Sequence, residues 1–251
     1  MIRRLLPGLV VLSALTSASV AAASGPTFSN PLKITNPYQP FTVGAVKVYN
    51  GQKSGKPDVV VDIFLPDTRT FQLNGAPVAC HILQETEFLD GQLIEIYRNH
   101  LAQADDGTLY YFGEAVDTYQ GGVIVDHEGS WLVGGATEPT DPPSTANAPA
   151  PTVYMPASPA LGDVFKQEDL APVVDETDTV KEVGLNVHVP AGSFPNCIQV
   201  LETTTLGDKP ETKWYARGVG PIKSKTPGEK SELIASTFAA AVVTQRAADI
   251  V

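Results

Sequence analysis

The sequence predicts an all-β, mainly antiparallel domain. Short apolar runs alternate with polar residues along most of the chain, which is typical of half-buried strands. Turn dipeptides separate these runs at Asp90-Gly91, Asp106-Gly107 and Gly121-Gly122. Asp-Gly and Gly-Gly favour tight hairpins because both central residues of a type I′ turn need a positive φ. Helical periodicity is almost absent, so we expect few helices, all of them short.

The segment 80–131 is predicted to form a four-stranded meander around these turns. If each turn has two residues, Phe88 pairs with Leu93, Gln84 with Tyr97, and His81 with His100. The same rule pairs Leu101 with Phe112, Asn99 with Glu114, Val116 with His127, and Phe112 with Trp131. Side chains alternate between the two faces of a strand, so this register collects the apolar and aromatic residues on one face. The opposite face, with Glu85, Glu87, Arg98, Asp117 and Asp126, is expected to be solvated.

The N-terminus has the pattern of a secretory signal peptide over residues 1–23. Arg3 and Arg4 precede an apolar stretch, and Ala21-Ala22-Ala23 fits a cleavage site. We therefore expect a secreted or periplasmic protein. The apolar stretches later in the chain are too short to suggest a membrane-spanning helix.

The predicted mature chain is strongly acidic. The whole chain carries a formal net charge of −11, and removal of Arg3 and Arg4 with the leader would change it to −13. Such a chain repels nucleic acid and anionic membranes, which argues against both as partners. Solubility outside the cell is the simplest reading of the charge, and attraction of divalent cations or basic ligands is the alternative.

The rest of the chain is predicted to belong to the same β domain. Residues 24–136 supply the N-terminal strands, beginning with a pair near Val46 and Val59, and residues 161–236 supply the C-terminal strands. Between them, 137–160 is proline-rich and is expected to be an extended surface loop. The Ala-rich tail 237–251 is expected to be a short helix or disordered.

Several short motifs resemble, in their order, a largely uncharacterised family of secreted bacterial proteins that ends in a K-Y-Y-A-P-G-V-G-like motif. The motifs are Asn36-Pro37-Tyr38, Cys80, 90–95, 106–107, 111–114, 155–156, 189–194, Cys197, 213–216 and 218–220. That family is distantly similar to the half-barrels of periplasmic lipoprotein carriers. The resemblance implies a curved sheet that forms a half-barrel or open barrel. The chain departs from the pattern at Arg217, where a proline is expected, at His100, where an aromatic residue is usual, and at Asn99, where an aspartate is common.

The apolar face of the meander is the candidate ligand site. Concave aromatic surfaces with a few polar groups are the usual form of small-molecule pockets. We expect an exported, non-enzymatic binding or carrier protein for an apolar or amphipathic small molecule. The candidate ligand-binding residues are Phe88, Tyr97, Tyr110, Phe112, Val116, Trp131, Glu95, Asn99 and Glu114.

Other functions remain open alternatives. The chain could be a structural or interaction module of the cell envelope, with the proline-rich segment as its docking loop. It could also be a carboxylate-dependent hydrolase using Glu95 and Glu114. His81 and His100 would be cross-strand neighbours in the predicted register, but two ligands do not make a metal site. The sequence therefore assigns no catalytic residue, metal or cofactor, and no protein partner.

The two cysteines, Cys80 and Cys197, each lie at a predicted strand. Export would permit a disulfide between them. A bridge would require the strands of the meander and of the C-terminal half to lie side by side. Two buried free thiols are the alternative.

Overall fold

The protein is described by a computed structural model over residues 25–238. The predicted leader lies outside this range, and so does the tail beyond Phe238. The described chain is all-β and forms one fifteen-stranded sheet. Its strands are β1 Val46–Lys53, β2 Lys56–Leu73, β3 Ala76–Leu89, β4 Gln92–Gln103, β5 Leu109–Gln120, β6 Val123–Asp126, β7 Trp131–Val133, β8 Ala146–Ala148, β9 Thr152–Met155, β10 Val164–Leu170, β11 Val174–Val189, β12 Gly192–Thr203, β13 Glu211–Ala216, β14 Gly220–Thr226 and β15 Glu229–Ser236.

The sheet is mostly antiparallel, nearly closed and barrel-shaped, which confirms the predicted fold class. Its order runs from β10 through β15 to β1 and on to β5, β7 and β8, with β6 and β9 also paired to β5. The short helices expected from the sequence are absent from residues 25–238. No helix in this range is long and apolar enough to cross a membrane.

β9 and β10 meet where the two ends of the sheet approach each other. Thr152 Oγ1 donates a hydrogen bond to the Gln167 carbonyl at 2.5 Å, and Gln167 Nε2 donates one to the Tyr154 carbonyl at 3.1 Å. β10 was not predicted as a strand from the sequence. Its charged pattern, VFKQEDL, carries only a weak apolar alternation.

The turns have the predicted backbone at Asp90-Gly91 and Gly121-Gly122, where all four residues have positive φ. The register beyond the first turn is nevertheless wrong by one residue. A β-bulge between Glu87 and Phe88 leaves Phe88 opposite Leu93 but places Glu85, rather than Gln84, opposite Tyr97. The extra residue is Ile94 of β4, and because side chains alternate strictly it exchanges the face of β3 that lies with Tyr97.

Two further irregularities change the pairings of β5. Leu101 lies opposite Tyr111 rather than Phe112, although Asn99 and Glu114 pair as predicted. On the other side of β5, Trp131 lies opposite Glu114, not Phe112. His127 lies beyond the end of β6, whose last pair is Thr118 with Asp126, so it does not pair with Val116.

The proline-rich segment 137–160 is more ordered than the predicted loop, since it contains β8 and β9. Arg69, only 7 % exposed, holds it against the outside of the sheet. The guanidinium forms a bidentate ion pair with Asp141 and donates a hydrogen bond to Thr137 Oγ1 at 3.1 Å. A buried charge pair of this kind fixes the position of the segment.

Cys80 and Cys197 are both buried free thiols, so the expected disulfide is not present. They lie in separate hydrophobic clusters. Five strands stand between β3 and β12 in the sheet order, so the two strands are not neighbours. The Cys197 thiol instead donates a hydrogen bond to the Phe194 carbonyl at 3.2 Å.

Candidate functional site

The barrel-shaped sheet encloses a cavity of about 400 Å³, here called the inner cavity. Its lining is dominated by carboxylates and tyrosines. Within residues 25–238, the lining contains two lysines, Lys213 and Lys223. The carboxylates are Asp62, Glu85, Glu114, Glu168, Glu176 and Glu211, and the tyrosines are Tyr49, Tyr97, Tyr111, Tyr154 and Tyr215.

Strand register explains how so many charged groups reach the interior. Lys47, Asp62, Glu85 and Tyr97 lie opposite one another on β1, β2, β3 and β4. Directly opposed residues point to the same face of a sheet. The row therefore places two carboxylates side by side inside the molecule, with the buried Lys47 ammonium 3.4 Å from Asp62 Oδ2.

The second group in the cavity wall is Glu114 with Glu168. Trp131 Nε1 donates a hydrogen bond to Glu168 Oε1 at 3.1 Å, and Tyr111 donates one to Glu114 Oε2 at 3.0 Å. Burial, and then the neighbouring Glu168 charge, raises the pKa of Glu114 well above its ordinary value. This carboxyl group therefore holds its proton up to a higher pH than an exposed glutamate does.

The third group lies on β11, β12 and β13. Asp178, Glu202 and Glu211 are opposed in register, and Glu176 shares their face two residues before Asp178. Lys213 contacts Glu202, and its Nζ lies 3.6 Å from Glu211 Oε2 and 4.0 Å from Glu176 Oε1. Burial opposes the charged form of Lys213, but Glu202 and Glu176 outweigh it and raise the pKa well above its ordinary value.

Two carboxyl groups, Glu85 of the cavity lining and the buried Asp178 outside it, titrate near neutrality. Burial, followed by the charge of Asp62, raises the pKa of Glu85 to about 7. Burial also raises the pKa of Asp178 to about 7, although Lys213 lowers it. A cation that entered the cavity would favour the ionised form of Glu85 and would lower its pKa.

The inner cavity continues into a recess of about 680 Å³ at one end of the sheet, here called the outer recess. Tyr97, Glu168, Glu176 and Glu211 line both. The turns after β1, β10, β12 and β14 contribute the rest of the recess wall. Its lining includes four more carboxylates, Asp175, Glu202, Asp208 and Glu229, and two lysines, Lys53 and Lys209. The approach to the cavity is therefore also acidic.

The structure places the residues that were predicted to form one ligand-binding face on both faces of the sheet. Tyr97, Asn99 and Glu114 line the inner cavity. Trp131 is buried beside it, with its ring 5.1 Å from that of Tyr111. Tyr110 and Phe112 lie on the outer face instead, where both rings pack against Phe28 at 5.6 Å.

The remaining predicted residues lie near the cavity wall without lining it. Glu95 accepts hydrogen bonds from Tyr97 and from Thr118, the latter at 3.2 Å. Val116 is buried, and Phe88 is half-buried beside the bulge between β3 and β4. The carboxyl group that shares a hydrogen bond with Glu114 is that of Glu168.

His81 and His100 are not cross-strand neighbours, because Ile82 rather than His81 lies opposite His100. His81 stacks on Phe41 with ring centroids 4.3 Å apart. His100 Nδ1 hydrogen bonds with the Gly113 carbonyl at 3.1 Å on the other face. Each imidazole ring is therefore held by its own neighbours. Because the two rings lie on different faces of the sheet, His81 and His100 cannot bind one metal ion together.

Sequence reasoning missed most of the acidic wall. Glu85 was expected on a solvated face, and Asp62, Glu168, Glu176 and Lys213 were not singled out. The available signal was the regular spacing of carboxylates at every second position, as in Glu176 and Asp178 on β11. That pattern is equally typical of a strand face turned to solvent.

Comparisons with protein-family models, with curated proteins and with solved structures found no match to this chain.

Proposed function

We propose that the protein is an exported binding protein that takes a positively charged, amphipathic small molecule into its inner cavity. The observation that carries this proposal is the composition of the cavity lining, in which six carboxylates and five tyrosines face two lysines. We therefore expect the ligand to be an amphipathic cation, whereas the sequence alone suggested any apolar or amphipathic small molecule.

The chemistry of the wall favours an ammonium group joined to an apolar or aromatic body. Tyrosine rings attract cations through their negative faces and also cover apolar surface. Asp62 pairs with Lys47, so a ligand cation would compensate the neighbouring Glu85 carboxylate instead. The size of the cavity suits one small molecule.

The acidic outer recess supports entry of such a ligand. A concave surface lined by one sign of charge concentrates ligands of the opposite sign and speeds their association. Export is inferred from the leader pattern at residues 1–23, with Arg3 and Arg4 before the apolar stretch.

Tryptophan fluorescence tests the proposal, because Trp131 is hydrogen-bonded to Glu168 in the cavity wall. The probe is 2-phenylethylamine, which carries a ring and an ammonium group. Phenylacetate and 2-phenylethanol serve as an anionic and a neutral probe of similar size. We expect a saturable change with the amine and at least ten-fold weaker binding of the other two.

A variant carrying both Glu85→Gln and Glu168→Gln should bind the amine at least ten-fold more weakly. Glu182→Gln is the matched control, because Glu182 is an exposed residue of β11. Equal binding of all three probes, or an unchanged affinity in the double variant, would contradict the proposal.

A further inference from the structure

We propose that Glu176 and Asp178 of β11 and Glu202 of β12 form a binding site for a divalent cation of the calcium type. The site goes beyond the small-molecule function proposed above, since its ion is held by side chains of β11 and β12 and not by Glu85 and Glu168, the residues tested with the amine.

The geometry of the three side chains brings their oxygens together. Each offers one carboxylate oxygen, and these atoms all lie within 4.8 Å of one another. Asp178 and Glu202 are directly opposed in the antiparallel register, and Glu176 shares their face. Two strands of a rigid sheet therefore position all three ligands.

Asp178 provides a separate reason to expect a ligand. Its side chain is 0 % exposed, and among the described residues neither of its carboxylate oxygens has a hydrogen-bond partner. A buried, unpartnered carboxylate is costly unless it is protonated or compensated by a cation. Asp62, the comparable buried residue on β2, has Lys47 and Tyr49 as partners.

Lys213 compensates only part of the local charge. It faces Glu176, Glu202 and Glu211, but among the described residues Asp178 has no ion pair with it. One ammonium group thus stands against four carboxylates. A divalent ion at Asp178 would remove two of the three excess negative charges.

The donor atoms indicate the class of ion. All three ligands are carboxylates, which suit hard cations, whereas zinc and copper sites draw on histidine and cysteine. Oxygens within 4.8 Å of one another can contact a single ion at the calcium–oxygen distance of about 2.3–2.6 Å. Calcium accepts flexible coordination by carboxylates, whereas magnesium demands near-ideal octahedral geometry and usually keeps several of its waters.

Carboxylate ligands bind a metal ion in their ionised form, so protons compete with calcium for the three carboxylates. Affinity for the ion should therefore increase as the pH rises from 6 to 8.

Isothermal titration of the EDTA-treated and dialysed protein with CaCl₂ at pH 7.5 tests the site. We expect one saturable calcium site and at least ten-fold weaker binding in Asp178→Asn. Asp67→Asn, at an exposed position of β2, is the matched control and should bind calcium like the wild type. Lys213→Met should bind calcium more tightly than the wild type by several fold, because it removes the competing ammonium group.

The proposal is overturned if the wild-type protein shows no saturable calcium binding, or if Asp178→Asn binds calcium as tightly as the wild type. Tighter binding of MgCl₂ or ZnCl₂ than of CaCl₂ would overturn the assignment to calcium. Circular dichroism shows whether each variant is folded, and Lys213→Met provides a second test if Asp178→Asn is not. Amine binding is measured separately in EDTA, so the cavity function and the calcium site can fail independently.

Discussion

Glu85 shows how a single residue sets the electrostatics of the interior. Its carboxylate lies opposite Asp62 and accepts a hydrogen bond from Asn99 Nδ2 at 2.6 Å. Burial and the Asp62 charge both favour the protonated form, and they raise the pKa of Glu85 from 4.5 to about 7. The carboxyl group therefore titrates near neutral pH.

Glu85→Gln should make the protein less sensitive to rising pH. A carboxyl group whose folded-state pKa is raised binds its proton more tightly in the folded protein. Its contribution to stability is complete below pH 4.5 and is lost as the pH rises through about 7. We expect the free energy of unfolding of Glu85→Gln, relative to the wild type, to increase by about 1–3 kcal/mol between pH 4.5 and 8.

Urea unfolding at a series of pH values measures this difference. Glu182→Gln, at an exposed position, should follow the wild type at every pH. A constant difference between Glu85→Gln and the wild type across this range would contradict the assigned pKa of Glu85.

At the scale of elements, β5 depends on Gly113 for its pairing with β7. Gly113 has a φ of 116°, and a Cβ at this position would lie 2.1 Å from the Trp131 carbonyl oxygen. The close approach lets Gly113 and Glu114 pair with Leu132 and Trp131. It thereby places Trp131 against the cavity wall.

Gly113→Ala should destabilise the protein by about 2–4 kcal/mol, because the methyl group overlaps backbone atoms and the positive φ is strained for alanine. Urea unfolding followed by tryptophan fluorescence measures the loss. The control is Gly25→Ala, where a Cβ meets nothing within 4 Å. Equal stability of the two variants would show that β5 and β7 do not pair in this way.

The strands and turns also show which features could be predicted from the sequence and which could not. Turn dipeptides and alternation were sufficient to predict an all-β antiparallel fold, because both are local signals. The bulge at Glu87 has no such signal, yet it moves Glu85 from the predicted solvated face to the interior. The irregularity around Gly113 likewise separates Phe112 from Glu114, which lies with Tyr111 in the cavity lining.

At the scale of the whole molecule, the candidate site depends on contacts between distant parts of the chain. Glu114 of the central meander meets Glu168 of β10, and Glu85 lines the same cavity as Lys213 of β13. These neighbours are brought together only when the sheet nearly closes. Local patterns carry no information on such closure, so the acidic interior could not be predicted from the sequence.

Closure also determines the electrostatic character of the interior. An open sheet would leave the carboxylates of β2, β3 and β11 in water, where their charges would be screened. Enclosed together, they favour either protons or a cation, and the two compete for the same oxygens. We therefore expect the proposed cation binding by the inner cavity to be coupled to proton release.

The most direct test is calorimetric titration with 2-phenylethylamine at pH 7 in phosphate and in MOPS, two buffers with different ionisation enthalpies. The difference in heat gives the number of protons exchanged when the ammonium group binds. We predict a net release of protons, because the cation lowers the pKa of Glu85 from about 7, and a smaller release in Glu85→Gln. Absence of binding, binding without proton exchange, or proton uptake would each contradict a cation site formed by the acidic interior.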